Sequence, residues 1–268
     1  MDESANQSFV YSGLELGSDE AFRLFGRARL QVFLRKENNL QKALQAYSRQ
    51  LHLGQVLLKP IGITEVFIRN AVDTSICEWW KTQQLPGDWL DDWGNVSVPG
   101  TLPSFCHIPS WRRRAAANCQ SHRFQGELSH DDVLAHMMLG TWRNMIGNPL
   151  GISAKAPADP QQLDSWKSQC KTDRACAHLW KEILSEAFPN IPTKSGRRGL
   201  SPRAYIGASI SSMAGLRNRV CHWDSLFEVN VEARYRDMTN IVGAISVAGL
   251  QWMLAQTQEE ILQVLQTD

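Results

Sequence analysis

The 268-residue chain is short of several things that would decide its class at once. It has no surplus of one charge: 28 Lys and Arg stand against 27 Asp and Glu. No global field therefore drives it onto nucleic acid, and any such binding needs local basic patches. The opening Met1-Asp2-Glu3-Ser4 lacks the basic start and apolar run of a secretory signal. The most apolar late stretch, Ile241 to Ala255, is too short for a membrane span and contains Gln251. Its six cysteines form no Cys-x2-Cys pair, and no Gly-x-Ser-x-Gly or Gly-x4-Gly-Lys-Ser/Thr pattern occurs. These absences lead us to expect a soluble cytoplasmic protein with reduced thiols, no membrane association, no cofactor and no metal. Cys106-His107 with Cys119 and His122, and Cys170 with Cys176 and His178, hold ligand-type residues without the spacing of a zinc site.

What is present is helical periodicity. Ser18-Asp19-Glu20 opens a helix, with acidic residues in its first turn and apolar residues from Phe22 to Leu34. Asn39 to Leu53 repeats the pattern, and Gln55 to Gln84 gives a further segment, with Pro60 predicting a break or kink. From Pro86 to Ser129, Pro, Gly, Trp and Asp crowd together and the period fades. We expect a long irregular insertion there, with short strands near Val96-Ser97-Val98. Ser129 caps a helix through Leu134, Met137 and Trp142 to Gly147. Asp173 to Phe188 is another, stopped by Pro189. Ser201-Pro202 starts the next, and a last pair covers Val231 to Leu265. No repeat and no sheet signature stands out, so the expectation is one all-α domain over residues 1–268.

The helix beginning at Pro202 ends on Arg217-Asn218-Arg219-Val220-Cys221-His222-Trp223-Asp224. Asn218 and His222 are four apart and share a face, and the long Arg217 side chain can wrap back toward them. Arginine offers a planar fork of donors to a phosphate, and histidine transfers protons near neutral pH. By spacing alone, the group is as readily a polar helix end. A second pairing, Arg123 with His130, crosses a loop-to-helix boundary and is set aside. Glu65 and Arg69, with Asn70 beside them, form an i,i+4 pair that by itself reads as a solvated salt bridge. Two basic stretches, Trp111-Arg112-Arg113-Arg114 with Arg123 and Lys194 to Arg203 (including Arg197 and Arg198), suit either RNA phosphates and bases or plain solvent.

Arg217 to His222 closely resembles the RNR-[IV]-x-H signature of Abi-like (abortive infection) proteins of the HEPN superfamily. Further matches follow in family order. Ile63 to Ala71 is similar to the LEVxLRNA helix, Leu139 to Arg143 to FGxWxxL, and Leu179-Trp180 with Ala187-Phe188-Pro189 to LW…AFP. Ile245 to Leu254 resembles the closing WI…WL helix. Where the family follows its histidine with His-Glu-Pro, this chain has Trp223-Asp224-Ser225. The resemblance implies a HEPN-like helical bundle with additional N-terminal helices. It implies a metal-independent endoribonuclease, acting as a toxin or abortive-infection effector in antiphage defence. It assigns catalysis to Arg217, Asn218 and His222 and support to Glu65, Arg69 and Asn70. Arg112, Arg113, Arg114, Arg197, Arg198 and Arg219 are the RNA-binding candidates. With one motif histidine per chain, a homodimer with a composite active site is expected, together with a cognate antitoxin protein or small RNA. The alternative is a non-catalytic RNA-binding or partner-binding module of a toxin–antitoxin pair.

Overall fold

The computed structural model describes residues 16–93, 108–122, 128–191 and 199–267. Among the described residues every regular element is a helix, and the all-α expectation holds. In chain order these are α1 (Ser18–Phe25), α2 (Arg27–Glu37), α3 (Leu40–Thr82), α4 (Trp89–Asp92), α5 (Ile108–His122), α6 (His130–Ala135) and α7 (Leu139–Ile146). They are followed by α8 (Pro160–Glu182), α9 (Pro202–Cys221), α10 (Val231–Ile245) and α11 (Val247–Thr267). Short 3-10 turns lie at Pro149–Gly151 and Leu184–Ala187.

The spine is α3, a single helix of 43 residues. It starts where the Asn39 side chain accepts from the Lys42 amide, a common N-cap arrangement. The two segments expected on either side of residue 54 are one, and Pro60 does not break it. An interior proline removes a backbone bond and crowds the preceding turn, at a cost of about 3 kcal/mol. Here Pro60 is buried in a stripe with Leu57, Ile61, Ile68, Val72 and Ile76, all 2% exposed or less. Each such side chain contributes roughly 1.5–3 kcal/mol on burial, enough to override the local preference. By length and composition α3 also meets the requirement for crossing a bilayer, with 39% of its most apolar stretch buried. It packs against α2, α7, α9, α10 and α11.

Other boundaries depart from the periodicity. The helix expected from Ser18 to Leu34 divides at Gly26, whose φ of 80° suits glycine and ends α1. The helix expected from Ser129 to Gly147 is two, α6 and α7, and Ser129 starts the first with a reciprocal capping box to Asp132. The eighth helix begins at Pro160, earlier than Asp173. Part of the insertion expected to be irregular is helical, as α4 and α5 show, while Val96-Ser97-Val98 lie outside the described residues.

Buried residues from α3 to α11 join in one contiguous core around Trp142, Trp89, Phe188 and Leu179. A smaller cluster of Phe33, Ala43, Ala46 and Tyr47 attaches α2 to the start of α3. The tightest crossing places Gly207 of α9 on the Gly147 carbonyl, where an added Cβ would sit 2.1 Å from that oxygen. By contrast, Gly62 of α3 is exposed with nothing near its missing Cβ.

Gly207→Ala must push two backbones apart and is expected to destabilise the fold by at least about 1–3 kcal/mol. Gly62→Ala is expected to stabilise it by roughly 0.5–1 kcal/mol through helix propensity and a stiffer unfolded chain. Thermal unfolding of the two variants beside the parent checks both signs.

Candidate functional site

The end of α9 is built by a stop signal. Ser201 accepts from the Ala204 amide and Pro202 occupies the first turn, as Ser-Pro at a helix start predicts. Twenty residues later the helix closes on His222, whose amide reaches the Asn218 carbonyl at 3.0 Å. Trp223 then takes φ 53°, its amide bonds Val220 O, and the Asp224 amide bonds Arg219 O at 2.8 Å. That pair of bonds is a Schellman closure, in which the left-handed residue is usually glycine. Tryptophan pays a steric cost there. Its ring compensates by lying on α3, within van der Waals reach of the Cβ position of Gly54 and beside Val220.

Neighbouring groups hold this end by its backbone. Arg29 of α2 donates to the His222 carbonyl at 3.3 Å, Arg219 to the Ser225 carbonyl at 2.8 Å, and the Leu226 amide to Gln50 of α3 at 3.0 Å. Phe227 packs on Phe33 with ring centres 4.9 Å apart, and the Lys36 ammonium lies over the Phe227 ring, 4.0 Å from its centroid. The side chains of the motif are left out of this network. Asn218 and His222 are exposed and Arg217 is half-buried. Among the described residues no hydrogen bond or ion pair engages any of the three side chains. They form a polar edge on a backbone that is fixed from three directions.

The supporting candidates sit elsewhere on α3. Glu65 accepts the Leu139 amide at 3.1 Å, capping α7 from outside, because Met138 at that N-cap offers no side-chain acceptor. Arg69 lies 4.0 Å from the same carboxylate, both side chains being 17% exposed. Burial lowers the Arg69 pKa from its ordinary value and Glu65 opposes that shift. The Arg69 Nε is buried without a partner. Asn70 lines a cleft with Phe67, Glu78, Glu186 and Ser246. The end of α9 meets α3 at Gln50 and Gly54. Glu65 is about 16 Å farther along the axis. No hydrogen bond or ion pair among the described residues joins Glu65, Arg69 or Asn70 to Arg217, Asn218 or His222.

The basic candidates separate likewise. Arg112 pairs with Asp91, whereas Arg113 and Arg114 are exposed on α5. Arg203 is 9% exposed, bonded to Asp173 at 2.8 Å and to the Ile146 carbonyl, so it is a structural cation and not part of an RNA-facing stretch. Arg123, Arg197 and Arg198 lie outside the described residues, as do Cys106 and His107. A second polar centre does not appear in the spacing at all: His130, Asp73, Cys77 and Asp88 converge between α3, α4 and α6. Asp73 and Cys77 are four apart on one helix, the only local sign of it.

Comparison with protein-family models, curated proteins and solved structures gives no match for this chain.

Glu65→Ala removes the α7 cap and leaves the half-buried Arg69 charge without its nearest counter-charge. A loss of about 1–3 kcal/mol is expected. His222→Ala removes an exposed side chain with no internal partner and should stay within about 0.5 kcal/mol of the parent. Urea unfolding of both variants tests whether one residue serves the fold and the other is surplus to it.

Proposed function

We propose that the chain is a metal-independent endoribonuclease of the Abi-like HEPN type, acting in the cytoplasm as a toxin or abortive-infection effector in antiphage defence. The observation that carries this reading is the free Arg217, Asn218 and His222 edge, which coincides with the motif that most resembles that family. An exposed histidine and a half-buried arginine without a hydrogen-bond or ion-pair partner are free to meet a phosphodiester.

In the proposed reaction the RNA 2′-hydroxyl attacks the adjacent phosphorus. The bond from phosphorus to the 5′-oxygen breaks, leaving a 2′,3′-cyclic phosphate and a 5′-hydroxyl. One group takes the 2′-hydroxyl proton and another supplies a proton to the departing oxygen. Arg217 stabilises the charge building on the phosphoryl oxygens. His222 transfers a proton, and Asn218 orients the histidine or the phosphate. A single chain brings one motif histidine, with Trp223 folded onto Gly54 in place of a second. A twofold homodimer would set two such edges across one cleft and provide both proton-transfer groups. Exposed Arg113, Arg114 and Arg219 would draw in the RNA. A cognate antitoxin protein or small RNA would restrain the activity. The lone histidine equally favours a non-catalytic RNA-binding or partner-binding module, in which RNA is held intact.

Purified protein incubated with RNA in EDTA should release fragments ending in cyclic phosphate. His222→Ala and Arg217→Ala, compared in the same buffer, should lower the rate by about 10²–10⁴-fold. Wild-type cleavage by either variant sinks the assignment, and a stable gel shift with intact RNA favours the binding module. Growth arrest on expressing the parent but not His222→Ala is the matching result in cells.

A further inference from the structure

A compact set of side chains lies at the far end of α3. Asp73 and Cys77 stand one turn apart on that helix, with the thiol 3.7 Å from Asp73 Oδ1. His130, the first residue of α6, directs Nε2 to the same oxygen at 2.9 Å and Nδ1 to Asp88 Oδ2 at 2.7 Å. The nearest nitrogen, sulfur and oxygen of His130, Cys77 and Asp73 all lie within 4.8 Å of one another. Ligands sharing a tetrahedral zinc ion are roughly 3–4 Å apart, given metal–ligand bonds of about 2.0–2.3 Å.

Each of these groups is already positioned by another. Trp89, 1% exposed, donates its indole N–H to Asp73 Oδ1 at 2.8 Å. Asp88 uses its second oxygen to accept the Leu90 amide at 2.7 Å, so its carboxylate cannot swing away. Gly87, with φ 69°, leads into that turn and leaves no room for a Cβ beside the Asp92 carboxylate. A carboxylate fixing one ring nitrogen while the other faces ligand atoms is the usual outer arrangement of a metal-binding histidine.

We propose that Asp73, Cys77 and His130 bind a divalent cation of the zinc class, with Asp88 orienting His130, Trp89 orienting Asp73, and water completing the tetrahedron. The thiolate and imidazole select zinc, cobalt or nickel over magnesium or calcium. Charge favours occupancy: Asp73 and the Cys77 thiolate neutralise the cation, and Asp88 balances polarisation of the imidazole. The Nε2 proton between His130 and Asp73 marks the cation's place, and binding displaces it together with the Cys77 thiol proton. The ion would pin α4 and α6 to α3. Cys77 lies about 35 Å along α3 from Gly54, so the site stands apart from the α9 edge and does not rest on the ribonuclease reading.

The full chain, stripped with chelator and titrated with Co²⁺, tests this. One Co²⁺ per chain is expected, with thiolate-to-cobalt charge-transfer absorption and the strong visible bands of four-coordinate cobalt. Equimolar zinc should displace it and excess magnesium should not. Cys77→Ser should abolish the charge-transfer band while leaving far-UV helicity intact. Asp88→Asn, which removes no ligand, should weaken zinc binding by about 10–100-fold. Zinc should raise the melting temperature of the parent and not of Cys77→Ser. Absence of a thiolate band in the parent, persistence of that band in Cys77→Ser, or unchanged zinc affinity in Asp88→Asn each overturns the proposal.

Discussion

Burial of one face along the whole of α3 is the constraint from which the arrangement follows. A helix of 43 residues is about 65 Å long. Its apolar stripe from Leu53 to Trp80 must be covered over most of that length. No single partner is long enough, so α9, α10 and α11 cover the middle, α2 the beginning, and α4 the far end. The stripe also explains why Pro60 is tolerated: unfolding one turn would withdraw Leu57, Ile61 and Thr64 together from the core. Thr64 returns a hydroxyl bond of 2.7 Å to the Pro60 carbonyl, one more polar group satisfied inside the helix.

A single spine separates sites that the sequence places close in chemical character. Gln50 and Gly54 receive the end of α9, Glu65 caps α7, and Asp73 with Cys77 meets α6. Each step along α3 is a different neighbour, so its polar residues act one by one. Glu65 and Arg69 illustrate this. Their i,i+4 spacing is visible in the sequence, yet the use of Glu65 as a helix cap depends on where α7 begins, which spacing does not contain.

Legibility in the sequence follows the range of the interaction. Local chemistry was readable: Ser129 with Asp132, Ser201 with Pro202, and the acidic start at Ser18 all mark helix ends correctly. The all-α class was readable from periodicity for the same reason. Tertiary decisions were not. Pro60 is outweighed by packing, and the division between α6 and α7 is sealed by Glu65 from another helix. Helix α5 was hidden because its buried face, Ala115, Ala116 and Cys119, is made of small residues that give little periodic signal. His130 shows the limit most clearly: Arg123 is its only suggestive neighbour in sequence, whereas Asp73 and Asp88 are its neighbours in space.

The sorting of charge bears on where function resides. Arg203, Arg112 and Asp237 are committed to internal partners that connect helices: Arg203 to Asp173 of α8, Arg112 to Asp91 of α4, and Asp237 to Ser212 of α9. Arg203 is the clearest case, because at 9% exposed it would be left a costly unpaired charge if its partner were removed. Arg217, Asn218 and His222 have no such hold on the fold. Their backbone is nonetheless fixed by Arg29, by the left-handed closure at Trp223, whose ring packs on Gly54, and by the Phe33–Phe227 contact. The rigid backbone places the three side chains side by side, and a bound phosphate would supply the contacts that fix their rotamers. The α9 edge therefore combines low structural value with high positional order, whereas the His130 centre combines positional order with a structural role between α3, α4 and α6. That contrast is the ground on which the first is proposed for RNA chemistry and the second for holding a cation.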